Sequence, residues 1–70
     1  MNTQNIRLLE YFENYGNITQ FEALQELGIF RLASRISDLK KKGYNITGKM
    51  VDVKNRFGEN IKVKRYYMEQ

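Results

Sequence analysis

The chain contains no cysteine, no histidine and no proline. Without cysteine no disulfide can staple the fold, so packing alone must hold it, a situation that suits a reducing compartment. The joint absence of histidine and cysteine excludes the usual zinc ligand sets and removes Ser-His and Cys-His nucleophile pairs. Carboxylates, lysine and tyrosine are what remains for catalysis. No glycine-rich phosphate loop and no pair of acidic residues in an apolar setting puts them to such use. The expectation is a protein with no catalytic residues, no metal and no cofactor. Long apolar runs are missing as well. Nothing approaches the roughly 18 residues needed to span a bilayer, and Met1-Asn2-Thr3-Gln4-Asn5 lacks the basic and apolar regions of a signal peptide. No membrane partner and a cytoplasmic location are expected on that ground.

What is present suits a small globular domain. Seventy residues, 41% of them hydrophobic and 29% charged, suffice for one core and not for two, so residues 1–70 are expected to form a single domain. The charge is unevenly spread. Residues 1–30 carry only Arg7 against Glu10, Glu13, Glu22 and Glu26, a net of −3, whereas residues 31–70 carry a net of +7, which together give the overall +4. A basic surface concentrated in one part of a domain is the electrostatic footprint of a phosphate-backbone binder.

With no proline to punctuate the chain, its glycines do so. From about Asn5 to Tyr15 the apolar residues Ile6, Leu8, Leu9, Phe12 and Tyr15 favour one side of a helical period, and Gly16 follows as a left-handed cap. Thr19-Gln20-Phe21-Glu22 has the spacing of a capping box, which starts a second helix that runs past Ala23, Leu24 and Leu27 to Gly28. Ile29, Leu32, Ala33, Ile36 and Leu39 then recur as one apolar face of a third helix spanning about 29–42. Two helices joined by a short turn containing glycine form the helix-turn-helix arrangement. Beyond Gly43 the period becomes alternating. Tyr44, Ile46, Val51, Val53, Ile61 and Val63 are separated by polar residues, as in half-buried strands. Asn55 to Asn60 reads as a hairpin tip in which Gly58 supplies the positive φ. Pairing Val53 with Ile61 and Val51 with Val63 places Asp52 opposite Lys62. The expected fold is therefore α+β: a three-helix winged helix-turn-helix with a C-terminal β-hairpin wing.

The polar side of the third helix carries Arg31, Ser34, Arg35 and Asp38. An α-helix fits the major groove, where an arginine fork can bond both acceptors of a guanine and a serine can bond either partner type, so these four are the base-contact candidates. Asp38 repels phosphate; its place among them requires it to accept from a cytosine amine or to orient Arg31, Ser34 or Arg35, and an ion pair between Arg35 and Asp38 is the competing reading. Lys41 and Lys42 at the helix end, with Lys54, Arg56, Lys62 and Lys64 on the wing, are the phosphate candidates, while Lys40 is read as core-facing with its stem over apolar surface. Arg56 beside Gly58 suits entry into a minor groove. Phe57 is read as folding back over the core, and Tyr66, Tyr67 and Met68 as backing onto the first helix.

The stretch ITQFEALQELGIFRLASRISDLKKKGYNI, Ile18 to Ile46, resembles the small winged helix-turn-helix domains of bacteriophage and prophage proteins. A threonine starts the second helix, an LGI-like turn follows, and an Ile-x-x-Leu-Lys pattern leads through glycine towards the wing. Leu24 departs from the wider pattern, which has a small residue four before Gly28. The resemblance implies double-stranded DNA as the partner and gene control or DNA handling as the role. A transcriptional regulator, an architectural or excisionase-like recombination factor and a protein-docking module remain open. One such domain reaches only a few base pairs, so a homodimer on DNA is the expectation for a specific site, although no dimer helix is visible.

Overall fold

The computed structural model describes residues 2–69. Helix α1 spans Thr3–Tyr15, started by the Asn2 side chain accepting from the Gln4 amide at 2.7 Å and stopped by Gly16 at φ 80°, whose amide bonds Phe12 O. The helix begins ahead of the apolar repeat because the cap residue, and not the first apolar side chain, sets its start. Strand β1, Asn17–Thr19, follows directly. Helix α2 opens at Gln20–Glu22 on the expected capping box, in which Thr19 Oγ1 accepts from the Glu22 amide at 3.2 Å and Glu22 Oε1 accepts from the Thr19 amide at 2.9 Å.

The second helix then widens into a π-helical turn over Ala23–Leu27 and ends at Gly28 with φ 69°. Widening the turn swings Leu24 outward to 41% exposure while Ala23 is fully buried, so the small residue at the helix contact is Ala23 and not a residue at the position of Leu24. The expectation that Ala23, Leu24 and Leu27 share one side is corrected accordingly. Helix α3 spans Leu32–Lys41, with Arg31 at its N-cap in a non-helical conformation. The expected start at about residue 29 is therefore too early. Ile29 is buried because it plugs the turn between the helices, not because it lies on a helical face. Ala33 is exposed and also leaves the expected core face.

Strands β2, Ile46–Lys54, and β3, Asn60–Met68, form the hairpin with the anticipated register: Val51 opposite Val63, Val53 opposite Ile61, and Asp52 opposite Lys62. Tyr44 lies outside the strand. β1 adds to the other edge of β3, Ile18 facing Tyr66, which makes a three-stranded sheet ordered β1-β3-β2. The core lies where that sheet meets the helices and contains Leu8, Phe12, Ile18, Ala23, Ile29, Leu32, Ile36, Leu39 and Ile46, with Tyr66 and Met68 packed against it. Tyr11 stacks near Tyr15 with ring centroids 4.5 Å apart. Partial burial, aided by the Glu22 and Glu26 carboxylates, pushes its hydroxyl above the usual tyrosine value. Among the described residues no helix is long and apolar enough to cross a membrane.

Glu22 joins the two halves of the molecule. Its Oε1 also accepts from Arg65 Nη1 of β3 at 3.0 Å, and the same nitrogen donates to Asn17 Oδ1 at 2.7 Å. Removing the carboxylate takes away the return bond of the capping box and a half-buried ion pair together. Glu22→Ala is expected to lower stability by about 1 to 3 kcal/mol, and Glu22→Gln, which can still cap, by less. Urea unfolding checks this, and equal midpoints for Glu22→Ala and the parent would show that the junction contributes nothing.

Candidate nucleic-acid interface

The turn that sets α3 against α2 is clamped by a residue the sequence reading passed over. Gln20 donates through Nε2 to Ile29 O at 3.0 Å and accepts at Oε1 from the Leu32 amide at 3.0 Å. One side chain at the start of α2 thus satisfies a carbonyl of the turn and the first amide of α3, the latter a group that a helix start leaves without an intrahelical partner. A glutamine next to a capping threonine carries no local signal of this, because its partners lie 9 and 12 residues away.

α3 buries Leu32, Ile36 and Leu39. At about 100° per residue, the remaining positions fall on two polar flanks. One holds Ser34, Arg35 and Asp38, with Arg31 ahead of it at the N-cap. The other holds Ala33, Ser37 and Lys40, all exposed, and Lys41 lies between the two, farthest from the core. Arg35 sits beside the buried face rather than at the middle of the polar side. Its side chain is 24% exposed and pairs with Asp38 at 3.3 Å. Lys40 is exposed. Ser37, absent from the sequence candidates, points outward at a position open to a groove.

The wing supplies the second wall. A cleft of about 700 Å³ separates it from the starts of α2 and α3, with Phe21, Ala33, Val53, Ile61 and Val63 on its apolar sides and Lys54, Arg56 and Lys64 at its margins. Because Ala33 lines this cleft, the flank with Ser37 and Lys40 is turned towards the wing, and the flank with Arg35 and Asp38 is turned away. The wing cations differ in their surroundings. Lys62 pairs with Asp52 at 3.6 Å. The Lys64 side chain lies across Gly48, where a Cβ would clash with its Cε, and brings Nζ within 5.4 Å of the Tyr66 ring centroid. Among the described residues no carboxylate lies within ion-pair distance of Lys41, Lys42, Lys54 or Arg56.

Three phenylalanines stand in solvent: Phe21 at 70% exposure, Phe30 at 77% and Phe57 at 78%. Phe57 therefore does not fold back over the core, because the hairpin carries it beyond the reach of the helices. No group of three or more Asp or Glu side chains that could hold a metal occurs among the described residues.

A family model for a winged helix-turn-helix domain matches residues 3–70. No curated protein and no solved structure matches the chain.

Proposed function

Since the chain belongs to the winged helix-turn-helix family, we propose that it binds double-stranded DNA with α3 in the major groove and the wing on the adjoining backbone, as a regulator of phage or prophage transcription. The observation that carries the reading is that, among the described residues, exposed cations at the end of α3, Lys41 and Lys42, and at the end of the wing, Lys54 and Arg56, have no carboxylate within ion-pair distance, with Lys54 and Arg56 at the margin of the cleft. Cations that are not already neutralised within the fold are the ones able to replace condensed counterions on phosphate. Lys62 and Lys64 serve as weaker phosphate contacts, since each must first leave Asp52 or Tyr66. Arg31, Ser34 and Arg35 contact bases, and Asp38 acts as a positioning residue that holds the Arg35 fork. The regulatory and phage parts of the reading rest on the resemblance of Ile18 to Ile46, and two copies on one site would give the base-pair coverage that a single domain lacks.

Titrating random duplex DNA at two salt concentrations tests the central claim. Lys54→Ala/Arg56→Ala is expected to lower the salt slope by about two, and near 0.15 M salt to weaken binding roughly thirtyfold, about 2 kcal/mol, equally for all duplexes. The fold should be untouched, since both side chains are exposed. Salt-insensitive or absent binding by the parent protein would overturn the reading in favour of a protein partner in the apolar cleft.

A further inference from the structure

We propose that Phe57 is a wedge that enters a base step of the minor groove and kinks the duplex; this rests on the DNA-binding reading above and adds an activity to it. The ring stands alone. Among the described residues Phe57, at 78%, is with Phe30, at 77%, the most exposed large apolar side chain, and its neighbours at the tip, Asn55, Arg56, Gly58, Glu59 and Asn60, offer no apolar surface to join it. A docking surface for another protein needs a contiguous apolar patch. A lone ring beside a cation fits a different occupant, a narrow polyanionic groove whose floor is a stack of flat apolar faces, and partial insertion of an apolar side chain between base pairs is a known way to unstack them.

The tip is rigid before any partner arrives. The Asn55 amide donates to Glu59 O at 3.0 Å and the Gly58 amide to Asn55 O at 3.0 Å, while Asn55 Oδ1 accepts from the amides of Phe57 and Glu59 at 2.9 and 3.1 Å. Asn55 Nδ2 also donates to Glu59 Oε1 at 3.2 Å, which holds the one carboxylate at the tip against the loop and leaves Lys54 and Arg56 to meet phosphate. A wedge held this way loses little conformational freedom on insertion, where a flexible loop would lose roughly 1 to 2 kcal/mol for each residue ordered.

The wing is also long enough. Beyond the last pair shared with β1, at Arg65, the hairpin continues for five rungs from Met50–Lys64 to Lys54–Asn60, roughly 16 Å at the usual rise per residue. Half a turn of B-form DNA, the axial step from a major groove to the next minor groove, is roughly 17 Å. The free length of the hairpin is thus of the same order as the step between neighbouring grooves. The molecule's extents of 39 × 22 × 21 Å reflect this projection.

Bending is read by circular permutation of a bound site and by the fluorescence of 2-aminopurine placed in the contacted step, after the site has been selected from random duplex. The parent protein is expected to bend the duplex by roughly 20 to 90° and to raise the 2-aminopurine signal. Phe57→Ala should abolish both, with an unchanged melting temperature and an unchanged salt slope, because no charge is removed. Phe57→Leu, still an apolar wedge, should restore part of the bend. A parent complex that is salt-sensitive yet straight, or a Phe57→Ala complex bent like the parent, overturns the wedge and leaves DNA binding standing. A parent that binds no duplex at all overturns both.

Discussion

Replacing Ile36 by alanine is expected to destabilise the protein by about 2 to 5 kcal/mol. Ile36 is 3% exposed in the middle of α3, between Leu32 and Leu39, which are at 1% and 0%. Each of these side chains is closed in by other core residues, so a lost sec-butyl group leaves a hole that the neighbours cannot readily fill. At roughly 0.05 to 0.15 kcal/mol per residue a domain of this size has about 4 to 10 kcal/mol in total. The substitution therefore removes between a fifth and all of it, and a large unfolded population near room temperature is the expected result. Thermal melting by circular dichroism reads it directly. A variant that melts with the parent would mean that the buried face of α3 lies elsewhere on the helix.

Arg35→Ala is expected to cost about 1 to 3 kcal/mol on a selected DNA site and to relax the preference at one base position, while Lys42→Ala weakens selected and unrelated duplexes by the same factor. The ion pair with Asp38 complicates the reading in only one way. An (i, i+3) pair at a partly exposed position contributes at most about 1 kcal/mol to the fold, so melting curves separate a structural effect from a recognition effect. The two flanks of α3 make opposite forecasts. If Arg35→Ala leaves base preference intact and Ser37→Ala changes it, the helix lies in the groove with its wing-facing side down, and Arg35 and Asp38 are a surface pair.

Features legible in the sequence were those whose partners are close along the chain. The capping box needs only Thr19 and Glu22, the face of α3 only the spacing of Leu32, Ile36 and Leu39, and the hairpin register only a glycine tip between alternating strands. β1 escaped because three residues are too few to display an alternating pattern and its partners, Arg65 to Tyr67, stand at the far end of the chain. The π-helical turn escaped for a similar reason, since Ala23 and Leu24 are equally apolar and only tertiary packing decides which one turns inward. The same limit explains Ala33 and Phe57, which hydrophobicity assigns to an interior that the three-dimensional fold does not extend to meet. At the candidate site the residue types were readable, and so was the pairing of Arg35 with Asp38 as the competing reading, three residues apart on one helix; the draping of Lys64 over Gly48 was not, because its partners lie across the sheet.

The pairing of β1 with β3 also governs when the protein can fold. Residues near position 18 wait for residues near position 66, so the contact that closes the sheet is also among the most distant in sequence, and loop-closure entropy must be met before it forms. Helices and hairpin can flicker in and out of existence while the chain is still being made. The assembled domain cannot exist until Tyr67 has cleared the ribosome, so no partly synthesised copy can occupy DNA in the manner of the finished one.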